Sequence, residues 1–235
     1  MKIALFGYGK MGKLIEELAV ERGHTVVARI DIDTAGVDYS EMEMAIDFST
    51  PEAAPGNIRG CLENGIPVIS GTTGWLEAYG QMEALCEKHN GAFLYASNFS
   101  LGVNVFFELN AYLAEMMRTL TDYKVVIEEI HHTQKLDAPS GTAITLAEGI
   151  IERSSYQGWS VNGEAGHNIP IHSKREGQVP GTHSVTYGSA IDAIEIRHEA
   201  HSRKGFALGA VVAAEWLLGK QGVFGMKDVL QLGKK

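Results

Sequence analysis

Cysteine is scarce in this chain of 235 residues: Cys61 and Cys86 are the only two, and each lies in a stretch with helical spacing. They read as buried thiols rather than a disulfide, as expected of a reducing compartment. Basic residues are in deficit, 20 Lys and Arg against 29 Asp and Glu, for a formal charge of −9. Such a chain is a poor general ligand for nucleic acid or anionic lipid, so neither partner is expected. Long apolar runs are missing, so no membrane span is expected, and MKIALFGYGKMG turns glycine-rich too early for a secretion signal. A cytoplasmic location is the expectation. There are no internal repeats or low-complexity tracts. The composition, 45% apolar and 21% charged, is that of a globular protein with enough chain for one large domain or two small ones.

Two hydrophobic periodicities alternate through the first hundred residues. Residues 2–6 are a short apolar run that stops at Gly7, and Met11, Leu14, Ile15, Leu18 and Ala19 then repeat at helical spacing until Gly23. Further strands are predicted at 25–30, 44–49, 67–70 and 92–96, with helices at 51–64 and 75–89. Strand and helix alternating over short connections predict an α/β, Rossmann-type, doubly wound parallel sheet. The rhythm then changes. A helix is predicted at 103–119, a strand at 123–131, and a helix carrying Ala143, Ile144, Ala147, Ile150 and Ile151. Residues 151–167 read as compact and irregular. Residues 167–201 read as several strands joined by turns at Glu176-Gly177 and Pro180-Gly181, an α+β domain on a mixed or antiparallel sheet. The apolar helix 206–218 is expected to return to the first domain. The expected division is 1–101 with 206–235, and 102–205.

Gly7-Tyr8-Gly9-Lys10-Met11-Gly12 fits G-x-G-x-x-G, a weak signal alone. Between a predicted strand and a predicted helix it gains force. The first glycine makes the tight turn, the second lets the backbone approach a pyrophosphate, and the third packs helix on strand. Asp31 ends the second strand, where a carboxylate can bind an adenine-ribose hydroxyl. An unliganded tight turn is the competing reading and ranks well below. The residue after Asp31 is Ile32, with Arg29 and Lys10 the only nearby cations, so NADH and NADPH both stay open. Gly71-Thr72-Thr73-Gly74 and Ala96-Ser97-Asn98-Phe99 each follow a strand and are expected near the nicotinamide end of the same cleft.

The densest chemistry lies in HHTQKLDAPSGTA, His131 to Ala143. Pro139 disfavours helix at Ala138, which makes Ser140 a natural N-cap and Gly141-Thr142 the first helical turn. Backbone N–H groups at that terminus, with Gly141 permitting close approach, form an anion cradle. Beside it stand the Lys135 amine and the imidazoles of His131 and His132. An anion cradle with proton donors suits protonation of a substrate whose carboxylate is held still. A capped helix beside a solvated charge cluster is the plainer reading, and for Ser140 and Asp137 it is at least as good. H-H-x-x-K matches no zinc spacing, so no metal is expected.

These residues resemble the dihydrodipicolinate reductase family of bacterial lysine and diaminopimelate biosynthesis, nearly end to end. The likeness is carried by Gly9-Lys10-Met11-Gly12, Asp47-Phe48-Ser49-Thr50-Pro51-Glu52-Ala53, Gly71-Thr72-Thr73-Gly74 and residues 98–104. It is carried above all by His131-His132 with residues 135–143, and later by Ser202-Arg203 and residues 226–230. The resemblance implies reduction of (2S,4S)-4-hydroxy-2,3,4,5-tetrahydrodipicolinate by NADH or NADPH, with loss of water, in a homotetramer assembled through the substrate-domain sheet. It implies that His131 and Lys135 donate protons, that His132 binds substrate, and that Gly141 and Thr142 hold a substrate carboxylate. Arg203 would be a further anion contact or hinge element. The cofactor loop is one residue shorter than the family's usual one. Two other readings remain open. A semialdehyde-type dehydrogenase would share the glycine loop without this His–Lys cluster. A dinucleotide sensor would bind cofactor regardless of changes at Lys135.

Overall fold

The computed structural model describes residues 1–34, 36–163 and 166–232. In chain order the elements are β1 (Lys2–Phe6), α1 (Lys10–Glu21), β2 (Thr25–Ile30), β3 (Met44–Asp47), α2 (Ala54–Glu63), β4 (Val68–Ser70), α3 (Tyr79–Lys88), β5 (Ala92–Tyr95) and α4 (Leu101–Met117). They continue as β6 (Lys124–His131), α5 (Gly141–Ile151), β7 (Gly158–Val161), β8 (Asn168–Arg175), β9 (Thr182–Gly188), β10 (Ala193–Glu199), α6 (Lys204–Leu217), β11 (Gly222–Phe224) and α7 (Met226–Val229). Two compact units divide the chain: Met1–Leu101, rejoined by the stretch from Lys204, and Gly102–Arg203.

In the first unit the strand order is β11-β5-β4-β3-β1-β2, and every pairing is parallel. β1 shows why both faces are covered. Ile3 and Leu5 pack with Ile15 and Leu18 of α1 and with Ala210, Val211 and Ala214 of α6. Ala4 and Phe6 pack with Ile58 and Leu62 of α2 and Met82 of α3. Alternate side chains of a strand point to opposite faces, so one apolar run serves two cores. The result is a Rossmann-type doubly wound sheet. Because β1 lies between β2 and β3, the winding reverses beside it, which is where such sheets open a ligand crevice. Cys61 and Cys86 are buried and unpaired, and burial raises both thiols above their ordinary range.

Three local departures from the sequence reading have simple causes. α2 starts at Ala54 rather than 51, because the N–H groups of Ala53 and Ala54 both close on the Thr50 carbonyl, at 3.1 and 3.0 Å, in a turn ahead of the helix. A single 3-10 turn, Leu76–Ala78, precedes α3. β11 is too short to carry a period and exists by pairing with β5, which would otherwise be the sheet edge.

The second unit holds a mixed five-stranded sheet, order β10-β9-β6-β8-β7. β6–β8 and β7–β8 are parallel, while β6–β9 and β9–β10 are antiparallel. One face packs Val125, Ile127, Ile169, Ile171 and Val185 against Phe106 and Leu113 of α4 and Leu146, Ala147 and Ile150 of α5. β7 falls in the stretch that reads as irregular. It is an edge strand held by β8, and Glu164 and Ala165 beyond it lie outside the described residues. Among the described residues, no helix is long and apolar enough to cross a membrane.

Candidate active site

The loop after β1 uses its glycines differently. Gly7 sits at φ +87°, and a Cβ there would lie 2.2 Å from the Phe48 carbonyl oxygen. A Cβ on Gly12 would lie 2.3 Å from the Gly7 carbonyl oxygen, so α1 seats on the loop only with glycine at that position. Gly9 has nothing within 4 Å of where its Cβ would be, and it stands exposed as the N-cap of α1 with no side chain capping the helix. Two glycines are thus required by packing, while the third leaves room for an anion at a helix N-terminus.

A cavity of about 440 Å³ extends from Gly7 and Gly9 past Asp31 and Ile32 to Ser49, Thr50 and Asn57. A second, of about 280 Å³, is bounded by Met11, Phe48, Gly71, Thr72 and Thr73. Both follow the C-terminal ends of β1 to β4, and these residues fit an extended dinucleotide. Asp31 is exposed, and its Oδ1 accepts the Ile32 N–H at 3.0 Å. Ile32 itself is 87% exposed. Arg29 is already engaged: it ion-pairs with Glu16 and lies 5.7 Å from the Tyr8 ring centroid, while the Tyr8 hydroxyl donates to the same carboxylate. Lys10 is the exposed first residue of α1.

The loops after β3 and β4 are knitted by a carboxylate. Asp47 is fully buried at the end of β3. Its Oδ1 accepts from the Ser49 hydroxyl at 2.6 Å and the Asn57 amide at 3.1 Å. Its Oδ2 accepts from the hydroxyls of Ser70 and Thr72, each at 2.8 Å. Thr72 in turn accepts the Ser49 N–H at 2.9 Å. With its lone pairs filled, Asp47 holds the shape of the groove floor. Phe99 belongs to the core, 2% exposed and 5.6 Å from the Phe48 ring. Ala96 and Ser97 occupy the turn after β5, where Asn98 Oδ1 accepts the Ser100 N–H at 2.8 Å. Of the expected cofactor residues, the two cavities collect Gly7, Gly9, Met11, Asp31, Gly71, Thr72 and Thr73. Tyr8, Lys10, Gly12, Ala96, Ser97, Asn98 and Phe99 lie outside both linings.

In the second unit one sheet face changes character along its strands. β6 buries every second residue: Val125 and Ile127, then Glu129 and His131. Register places Glu129 beside Ser173 of β8 and His183 of β9, and His131 beside Arg175 of β8. The face is therefore apolar over its first half and polar over its last. Glu129 Oε2 lies 2.5 Å from His131 Nδ1, and Oε1 accepts from Arg175 at 2.9 Å. Burial pulls the Glu129 carboxyl upward, but His131, Arg175 and Ser173 outweigh it and hold the group down at about 2. His183 packs edge-on to His131 at 5.0 Å. Burial first, then the His131 charge, lowers His183 to about 3, so its ring is neutral.

β6 ends at His131, and half-buried His132 begins the loop. Lys135 Nζ reaches both oxygens of Asp137, at 2.8 and 2.7 Å, and this amine holds the Asp137 carboxyl below its usual range. Arg175 also donates to the carbonyls of Lys135 and Asp137, at 3.3 and 2.5 Å. Ser140 caps α5, accepting the Ala143 N–H at 3.3 Å, and its Oγ meets His183 Nε2 at 3.0 Å. Gly141 opens the helix with nothing within 4 Å of its missing Cβ, and Thr142 follows half-buried. Arg203 is exposed just ahead of α6. The arrangement can hold an anion at the α5 N-terminus and supply protons from His131 and Lys135.

Sequence reasoning missed Glu129, Arg175 and His183. The alternation Val125-Ile127-Glu129-His131 was an available signal for Glu129; the other two arrive only through strand register. A carboxylate oxygen of Glu129 and one ring nitrogen each of His131 and His183 lie within 4.8 Å of one another, a spacing that could hold a metal ion. Arg175 already neutralises that carboxylate, which favours an ion-paired dyad over a metal centre.

Two family signatures match the chain: "Dihydrodipicolinate reductase, N-terminus" over residues 33–99 and "Dihydrodipicolinate reductase, C-terminus" over residues 102–230. The chain belongs to the dihydrodipicolinate reductase family, and it is an NAD(P)H-dependent oxidoreductase. It is 59% identical to the 4-hydroxy-tetrahydrodipicolinate reductase of Christiangramia forsetii, covering 98% of both chains. Identity to the enzyme of the same name from Thermosipho africanus is 36%, again with 98% of both covered. A dipicolinate-bound dihydrodipicolinate reductase from Paenisporosarcina sp. TG-14 shares the fold, with a TM-score of 0.80 at 24% identity over 96% of this chain and 97% of that one. The glycine loop precedes the matched N-terminal segment, so its reading rests on its own geometry.

Proposed function

We propose that this chain is a 4-hydroxy-tetrahydrodipicolinate reductase of lysine and diaminopimelate biosynthesis, working in the cytoplasm as a homotetramer. One substrate, one NADH or NADPH and one proton give tetrahydrodipicolinate, oxidised cofactor and water. The cofactor supplies the hydride. The groove along Gly7, Gly9, Met11, Asp31, Gly71, Thr72 and Thr73 holds it, with the pyrophosphate at Gly9 and a ribose hydroxyl on Asp31. His131 and Lys135 donate protons, and His132 contacts the substrate. The N–H groups of Gly141 and Thr142 hold one of its carboxylates, and Arg203 meets an anionic group.

The observation that carries this reading is the polar end of the second sheet. Buried His131 is linked through His183 to the Ser140 cap of α5, and Arg175 ties the loop of Lys135 to Glu129 beside His131, a grouping that suits a cyclic dicarboxylate that must be protonated. A semialdehyde-type site needs no such cradle. The tetramer is supported by β10, an edge strand with no strand paired to its outer side among the described residues and Ile194 43% exposed.

The test is a coupled assay in which a synthase condenses aspartate semialdehyde with pyruvate and cofactor oxidation is followed on adding this protein. Synthase-dependent oxidation of NADH or NADPH is the expected result; cofactor binding without oxidation would return the dehydrogenase and sensor readings. Light scattering behind gel filtration checks the tetramer.

A further inference from the structure

We propose that Glu129 and Arg175 form a positioning pair that sets both proton donors together: the carboxylate fixes the tautomer and tilt of His131, and the guanidinium fixes the loop carrying Lys135. This rests on the reductase reading of the site.

Burying a charged pair is a weak route to stability, since apolar residues of similar size often do as well or better. The face offers that alternative: the preceding positions, Val125, Ile127, Ile169, Ile171 and Val185, are all apolar and fully buried. Glu129, with no exposed surface, breaks the pattern at the strand end where the loop to α5 begins. Its Oε2 stands 2.5 Å from His131 Nδ1 as an ion-pair contact, and neither buried atom has a hydrogen-bond partner elsewhere among the described residues. An ionised carboxylate only accepts, so it favours a proton on Nδ1 and leaves Nε2 as the atom that gives and regains one. Space beside Nε2 is kept clear, because Gly181 adopts φ +156° and a Cβ there would stand 3.1 Å from that nitrogen.

Arg175 completes the device from β8. One guanidinium nitrogen holds Glu129 at 2.9 Å, while the others reach the carbonyls of Lys135 and Asp137. Five donors in a rigid fork suit this double duty, and a lysine could not perform it. Lys135 Nζ is then turned by Asp137, its carboxylate partner two residues on. The charged and titratable groups around His131 are Glu129 on β6, Lys135 and Asp137 on the loop, Arg175 on β8, His183 on β9 and His198 beyond it on β10. With His183 neutral, protonating His131 meets no second imidazolium beside it.

The experiment combines kinetics with nitrogen-15 NMR of the histidine rings in the full-length protein. Wild type is expected to carry the His131 proton on Nδ1 in the neutral form. Glu129→Gln can present its amide to Nδ1 and move the proton to Nε2. In that variant kcat should fall about 100-fold or more, as tautomer loss does in other histidine-based sites, with NADH affinity unchanged and an altered acidic limb of the pH profile. Glu129→Asp should recover part of the loss. Arg175→Lys should lower kcat while the His131 tautomer stays on Nδ1. A wild-type proton on Nε2, or Glu129→Gln with wild-type kcat, would overturn the inference. So would a kcat loss with an unchanged tautomer, which marks Glu129 as merely structural. If Glu129→Gln does not fold, the wild-type tautomer decides alone. The ring measurement needs no turnover, so an inactive wild type would sink the reductase reading without being mistaken for failure here.

Discussion

His183 Nε2 and Ser140 Oγ are 3.0 Å apart, joining the middle of a sheet to the N-cap of α5, the helix start proposed to hold a substrate carboxylate. Both residues are buried, and His183 is held neutral, lowered from 6.5 to about 3. The unfolded chain takes up this proton near its ordinary pKa, whereas the folded chain resists it. Stability is thus full above about pH 6.5 and is lost as the pH falls towards 3. Glu129, lowered from 4.5 to about 2, adds a further loss below pH 4.5. Denaturant unfolding should show roughly 2 kcal/mol less stability at about pH 5 than at about pH 7.5 from His183. His183→Asn should flatten that slope; an equal slope in both proteins would remove His183 from the account.

Lys135→Ala should separate chemistry from cofactor binding. The amine lies in the second unit, while the glycine loop and Asp31 lie in the first. Turnover of the cyclic dicarboxylate is expected to fall at least about 100-fold with NADH affinity near normal. Steady-state rates and a fluorescence titration of NADH check this, and equal loss of both would count against the role given to Lys135.

The two ends of the glycine loop should respond differently to one added methyl group. Gly7→Ala meets the Phe48 carbonyl and a positive φ, and should cost roughly 2–3 kcal/mol in thermal unfolding. Gly9→Ala meets nothing within 4 Å, so the melting temperature should hold while NADH affinity drops about tenfold or more. A stable Gly9→Ala with unchanged affinity would move the pyrophosphate elsewhere.

Cofactor choice should turn on the position after β2. Asp31 faces the groove, Ile32 offers no charge, and Arg29 is tied to Glu16. NADH is therefore expected to be used at least as well as NADPH. Ile32→Arg should shift the ratio of kcat/KM towards NADPH by about tenfold. No shift in the ratio would place 2′-phosphate recognition on another residue.

Chemistry confined to one contiguous stretch is legible in the sequence alone. Gly7 to Gly12 sits between a strand and a helix, and His131 to Thr142 runs from a strand end through a proline to a capped helix. In both, the backbone rules act over a few residues. Elements that owe their existence to neighbours were harder: β7 and β11 are short strands held by β8 and β5, and their own periodicity is too brief to announce them.

The sequence by itself determined a doubly wound first unit, a β-rich second one, and a capped helix start in one stretch with His131 and Lys135. Those follow from periodicity, turn chemistry and caps, which are local properties of the chain. Only the tertiary structure decided which distant side chains meet Glu129 and His131. Arg175 and His183 lie on two other strands, and hydrogen-bond register, a long-range property, brings them onto that pair as one buried cluster.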